Sequence, residues 1–149
     1  MRECGYEGVF RPHPYLYEQS VDFSVNDIFT IQVKGEEYSK QFEKSCLLIT
    51  DYSSIATDYA YSNCPVIYTQ FDKDVFYGEH TYDKGFFDYE RDGFGPVCYD
   101  YESTVDAILS AIKNDCKMED VYENRRQRFF AYFDGQNCNR IYHEILNLK

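Results

Sequence analysis

The stretch CLLITDYSSIATDYAYSNCPVIY, residues 46–68, decides the fold. An apolar run of strand length, residues 46–50, breaks abruptly into Thr-Asp-Tyr-Ser-Ser. Residues 53–62 then have helical spacing, with Ile55, Tyr59 and either Ala56 or Ala60 on one side. Asn63 closes that helix and Pro65 forbids its continuation. A second apolar run, VIYTQ, follows at residues 66–70. Near-continuous apolar runs are what a strand covered on both faces requires, and strand–helix–strand implies a parallel crossover.

The same alternation continues outward. VNDIFTIQV predicts a strand over 28–33, and EEYSKQFEKS predicts a short amphipathic helix with Tyr38 and Phe42 at i, i+4. PVCYD, residues 96–100, reads as a last short strand. STVDAILSAIKN reads as a helix that opens on Ser103 and carries Val105, Ile108, Leu109 and Ile112 on one face. MEDVYENRRQRFFAYF and NCNRIYHEILNLK give two more helices, separated at Asp134-Gly135. Residues 71–95 are rich in Asp, Gly and aromatics and too long for an ordinary connection. They read as a functional loop or an insertion with short helices. The expected fold is therefore α/β: a Rossmann-like, mostly parallel sheet flanked by helices. Ligands of such sheets bind at the carboxyl ends of the strands.

Bulk properties narrow the function. A chain of 149 residues forms one domain and buries about 70% of its unfolded surface, so it needs no staples. Tyr (16) and Phe (12) with no Trp suit a shallow core or an interface. A net charge of −11 argues against a nucleic-acid partner, which demands a basic footprint. It leaves a phosphorylated ligand open, since one helix N-terminus and one or two cations suffice to hold it. The six cysteines are widely spaced, with no C-x-x-C and no zinc-ligand pattern, and read as reduced thiols. No acidic cluster has the spacing of a metal site, and no apolar run approaches membrane-spanning length. A cytoplasmic placement is expected. The opening, MRECGYEGVFRPHPY, offers only a short strand, 7–10, before Pro12 and Pro14 stop regular structure. This abrupt start leads to the expectation that the natural domain begins upstream.

The tip of residues 50–54 is a strand-to-helix turn, where unpaired N–H groups and partial positive charge favour an anion. Thr50, Ser53 and Ser54 offer hydroxyls to phosphate oxygens, and Asp51 suits an N-cap or a polyol hydroxyl. Taken alone, the tip is better accounted for by helix capping without a ligand. His13 also follows a short strand and is held between two prolines. On one common sheet it would share an edge with Ser53 and Ser54. There a histidine can bind phosphate as a cation or protonate a leaving oxygen. Arg125, Arg126, Arg128 and Lys117 form a basic cluster, read as a solvated helix face opposite Val121, Phe129 and Tyr132. His80 and His143 default to the surface. Asp88, Glu90, Arg91 and Asp92 form a charged turn, in which Arg91 either makes a local ion pair or faces substrate.

VFRPHPY, then LLITDYSSIATDYAYSNCPVIY, then FDYERDGFGPV resemble, in that order, the carboxyl-terminal domain of the CDP-glycerol:poly(glycerophosphate) glycerophosphotransferases, the teichoic acid polymerases and primases of Gram-positive bacteria. The resemblance implies one half of a GT-B fold, with residues 1–149 as a single donor-nucleotide-binding domain truncated on its amino-terminal side. It implies transfer of glycerol phosphate from CDP-glycerol to a lipid-linked polymer, with release of CMP. By motif, His13 matches the histidine near the donor phosphates and is the catalytic candidate. Thr50, Asp51, Ser53 and Ser54 match the phosphate-binding turn. Asp58 matches an acidic position on the next helix. Gly93, Gly95 and Pro96 match a donor-side loop. No metal ligand is implied, and dependence on a divalent metal stays open. The lipid-linked acceptor would be bound by a domain this chain lacks, so the chain alone is expected to be inactive. The complete protein is expected at the inner face of the bacterial membrane. Two alternatives stand beside this reading: a GT-B donor domain for a nucleotide sugar or CDP-ribitol, and a non-catalytic module that keeps the motif as a helix cap.

Overall fold

The computed structural model describes residues 2–23, 29–32, 38–79 and 85–148. His80, both ends of the expected strand 28–33 and the first two residues of the expected helix 36–45 lie outside them.

Two parallel ladders organise the chain. β1 (Gly8–Phe10) pairs with β2 (Phe29–Ile31), Val9 opposite Thr30. β3 (Leu48–Thr50), β4 (Val66–Thr69) and β5 (Val97–Cys98) form the second ladder in that order, with Ile49 opposite Ile67 and Tyr68 opposite Val97. Helices α1 (Tyr38–Lys44), α2 (Ile55–Tyr61), α3 (Lys73–Glu79), α4 (Tyr89–Asp92), α5 (Tyr101–Lys113), α6 (Asp120–Phe129) and α7 (Asn137–Asn147) connect and cover the strands. The Rossmann-like α/β reading thus holds. The ladders approach at their starting ends: Tyr6, two residues before β1, hydrogen-bonds Cys116 and lies near Cys46, two residues before β3.

β4 is the central strand, and Val66, Ile67 and Tyr68 are fully buried. Ala56, Tyr59 and Ala60 of α2 pack with Val66, Tyr68 and Phe94, supported by Phe42 and Phe130. Burial of these groups at roughly 25 cal/mol per Å² of apolar surface holds the layer together. Asn63 ends α2 with φ +61°. The N–H of Asn63 reaches the carbonyl of Ala60, and that of Cys64 reaches Tyr59. This is a Schellman closure built on asparagine.

Three expectations are corrected. Pro14 does not end regular structure but opens a 3-10 segment, Pro14–Asp22, because its ring presets φ and a first-turn residue needs no N–H. α5 begins at Tyr101 rather than Ser103, because the Asp100 carboxylate accepts from the Ser103 N–H and acts as N-cap. On α6, Arg125 and Arg126 are not solvated. Arg125 donates to the Gly93 carbonyl at 3.0 Å. Arg126 donates to the carbonyls of Ala60 (2.6 Å) and Tyr61 (3.0 Å) while pairing with Glu123. Val121, Phe129 and Tyr132, the expected apolar side, are 43–52% exposed, whereas Phe130 stacks near Phe94.

Candidate functional site

The turn after β3 presents its polar groups to solvent. Asp51, Ser53 and Ser54 are exposed and Thr50 is half-buried at the end of the strand. Capping consumes little of this chemistry. Ser54 occupies the N-cap position of α2 with helical backbone angles and no side-chain cap bond. The Ser53 hydroxyl accepts from Ile55 N–H only at 3.4 Å, a long contact. Asp51 accepts from the adjacent Tyr52 N–H at 2.7 Å. The expectation that hydroxyls cap this helix is therefore corrected: they are exposed and weakly engaged. Asp58 lies one turn further along α2, also exposed.

Residues 71–79 and 85–95, within the segment unassigned from sequence, build the wall around this turn. Tyr52 stacks on Phe76 of α3, with centroids 3.6 Å apart and planes 9° apart. Its hydroxyl donates to Asp72 at 3.1 Å. The Tyr89 hydroxyl donates to the Tyr52 carbonyl at 3.2 Å. Thr69, at the end of β4, donates to the Thr50 carbonyl. Beyond β5, the Lys73 ammonium donates to the Tyr99 hydroxyl at 2.7 Å and pairs with Glu90, to which Tyr99 also donates. The bond to Tyr99, then that to Glu90, raise the Lys73 pKa above its ordinary value. Bonds from Tyr99 first, and then from Lys73, hold Glu90 below its own. Gln70, next to β4 in sequence, is buried, and its side-chain amide nitrogen has no partner among the described residues. The composition of residues 71–95 was the only sequence signal for this wall, and it named no partner.

His13 stands apart in connectivity. Among the described residues β1 belongs to the β1–β2 ladder, and His13 and the β3 turn do not share one hydrogen-bonded sheet. Its Nδ1 accepts the Tyr15 N–H at 3.3 Å, and the ring is exposed. A neutral imidazole held this way carries its proton on Nε2, which points a donor away from the chain's own bond. Gly93 and Gly95 are buried, and both have packing reasons to be glycine. A Cβ at Gly95 would lie 1.6 Å from the Val66 carbonyl oxygen, and one at Gly93 2.1 Å from that of Tyr89. Pro96 accepts from the Tyr68 N–H. It also borders a cavity of about 310 Å³ that reaches the starting ends of the strands, near Leu47, Pro65 and Lys117.

Arg91 pairs with Asp92 at 2.6 Å, and Asp88 caps α4 by accepting the Arg91 N–H, so the charged turn is locally paired. His143 is exposed on α7. Among the described residues, no group of three or more His, Cys, Asp or Glu side chains is arranged to hold a metal ion. No helix among them is long and apolar enough to cross a membrane.

Comparison with known proteins places these observations. The chain is 40% identical over 147 residues to the minor teichoic acid biosynthesis protein GgaB of Bacillus subtilis (strain 168), covering 99% of this chain and 16% of that protein. It is 25% identical over 139 residues to the teichoic acid poly(ribitol-phosphate) polymerase of Bacillus spizizenii, covering 93% of this chain and 21% of that protein. It is likewise 25% identical over 143 residues to the teichoic acid poly(glycerol phosphate) polymerase of Bacillus subtilis (strain 168), covering 95% and 19%. The chain thus spans about a fifth or less of the length of these relatives. No solved structure gives a significant match. The family model described as CDP-Glycerol:Poly(glycerophosphate) glycerophosphotransferase matches residues 3–147, and the chain belongs to that family.

Proposed function

We propose that this chain is the donor-binding part of a transferase that moves glycerol phosphate from CDP-glycerol to a teichoic-acid-type polymer and releases CMP. The observation that carries the reading is the turn after β3. Its Ser53 and Ser54 hydroxyls are exposed and scarcely used for capping, at the carboxyl end of a parallel strand. Ser53, Ser54 and Thr50 would receive the donor diphosphate at the start of α2. Asp51 and Asp58 would meet the polyol or ribose hydroxyls. Gly93, Gly95 and Pro96 would act from behind, holding α4 and the Tyr89 wall against β4.

The reaction requires attack on the phosphorus nearer the glycerol and departure of CMP. Charge on the diphosphate must be stabilised, and the leaving oxygen needs a proton or a cation. His13 fits the second task through Nε2, since Nδ1 is occupied by the Tyr15 N–H. The general base for the acceptor hydroxyl is assigned to no residue of this chain. The acceptor, a lipid-linked polymer, would bind elsewhere in the complete protein, which would work at the inner face of the membrane. A second reading, with CDP-ribitol as donor, is favoured by the match to a poly(ribitol-phosphate) polymerase.

Calorimetric titration with CDP-glycerol, CDP-ribitol, CMP, UDP and pyrophosphate tests this. We expect cytidine ligands to bind in preference to UDP, and His13→Ala and Ser54→Ala to weaken binding while the fold persists. Equal binding of UDP and CMP would overturn the assignment of a cytidine donor. Binding unchanged in both variants would overturn the site.

A further inference from the structure

Three cysteines gather where the two ladders meet, at the end of the sheet opposite the β3 turn. Cys46 precedes β3, Cys116 follows α5, and the Cys46 thiol donates to the Cys116 sulfur at 3.5 Å. The backbone holds Cys116 firmly in this place. Asp115 and Cys116 are consecutive non-glycine residues in the left-handed region, with φ of 53° and 50°. The Cys116 N–H returns to the Ala111 carbonyl at 2.8 Å, and the Tyr6 hydroxyl engages its sulfur. Such positions persist only where the surroundings over-determine them. Cys64 is the third thiol. Its sulfur instead faces the Ser45 carbonyl at 3.8 Å, and burial pushes its pKa up to about 12. Cys46 is exposed, Cys116 is buried, and all six cysteines are free.

We propose that Cys46 and Cys116 are a redox-modification site that closes to a disulfide when the protein meets a peroxide. The sulfurs need to approach from 3.5 Å to a bond length of about 2.05 Å, a small movement for side chains already in contact. The exposed Cys46 thiolate attacks the peroxide oxygen. The O–O bond breaks, Cys46 becomes a sulfenic acid, and the hydroxide released takes up the proton that the thiol gave up and leaves as one water. The Cys116 sulfur then attacks the Cys46 sulfur, the S–O bond breaks, and a second water carries away the hydroxyl and the remaining proton. Two thiols are oxidised by two electrons and the peroxide is reduced. The closed loop, 46–116, contains β3, β4 and β5 with α2 to α5, so the link staples the whole three-stranded ladder. It forms at the starting ends of the strands and leaves the β3 turn open.

The test is peptide mapping of the intact chain after hydrogen peroxide, with and without a thiol reductant. We expect one intramolecular link, fragmented to Cys46 and Cys116, that is lost on reduction. Cys64→Ser should keep the link and Cys46→Ser should abolish it. Three results overturn the proposal: a link that includes Cys64, over-oxidation of Cys46 with Cys116 still reduced, or both thiols unchanged at peroxide levels that oxidise the other exposed cysteines. The mapping on unaltered protein stands independently of how well any variant folds.

Discussion

Arg126→Ala should destabilise the fold far more than a surface arginine would. The Arg126 side chain is only 12% exposed. It reaches from α6 to the carboxyl end of α2, where Ala60 and Tyr61 each accept one of its N–H groups. The Ala60 carbonyl keeps a second donor, the Asn63 N–H. No such second donor to the Tyr61 carbonyl is seen among the described residues, so its loss counts in full. An acceptor stripped of its partner costs about 1–3 kcal/mol. The guanidinium also lies 4.3 Å from the Phe133 ring centroid, a contact worth about 0.5–1 kcal/mol. The i, i+3 pair with Glu123 adds about 0.2–0.5 kcal/mol. The sum is roughly 2–4 kcal/mol, in which the carbonyl term is the largest. With a urea slope of about 2 kcal/mol per M, the unfolding midpoint should fall by about 1–2 M. Arg126→Lys should recover only part of this, because one ammonium cannot reproduce a fork that spans two carbonyls. A loss below about 0.5 kcal/mol in Arg126→Ala would refute the reasoning, since that is the range of solvated surface changes.

Ser54→Ala should leave stability within about 0.5 kcal/mol by urea unfolding, because its hydroxyl makes no cap bond, while weakening binding of a cytidine diphosphate ligand in calorimetry. Gly95→Ala should cost at least about 1–3 kcal/mol, because its Cβ would overlap the Val66 carbonyl oxygen; Gly78→Ala, with open space at the Cβ in α3, should instead gain about 0.5–1 kcal/mol, and thermal unfolding of both reads the contrast. Asp92 is held down to about 2 from 3.8, first by the Arg91 guanidinium and then by the Asp88 N–H. A depressed folded pKa adds stability above the unfolded value, and that contribution disappears as pH falls from about 3.8 through about 2. NMR titration of the Asp92 carboxyl should show this low midpoint, and Arg91→Ala should raise it.

The alternation of apolar runs with Asn, Gly and Pro punctuation made β3, α2 and β4 readable, because a central strand and its crossover declare themselves locally. Arg126 was not readable. In Arg-Arg-Gln-Arg a solvated arginine and one that closes another helix are the same letters, and the carbonyl it reaches is 66 residues away. Asp100 and Ser103 can each start a helix in sequence terms; the structure uses the Asp100 carboxylate on the Ser103 N–H, and that choice depends on where β5 ends. The β3 turn was readable as chemistry but not as geometry. Its hydroxyls could have been spent on the backbone, and the structure leaves them nearly unspent. What holds the turn in place of capping comes from the segment the sequence could not assign: the Phe76 ring under Tyr52, Asp72 on its hydroxyl and Tyr89 on its carbonyl. A turn fixed by aromatic packing from outside keeps its polar atoms available. That division of labour gives a physical reason for an aromatic-rich connection between β4 and β5, and Phe76→Ala should loosen the turn without removing a single group proposed to touch the donor.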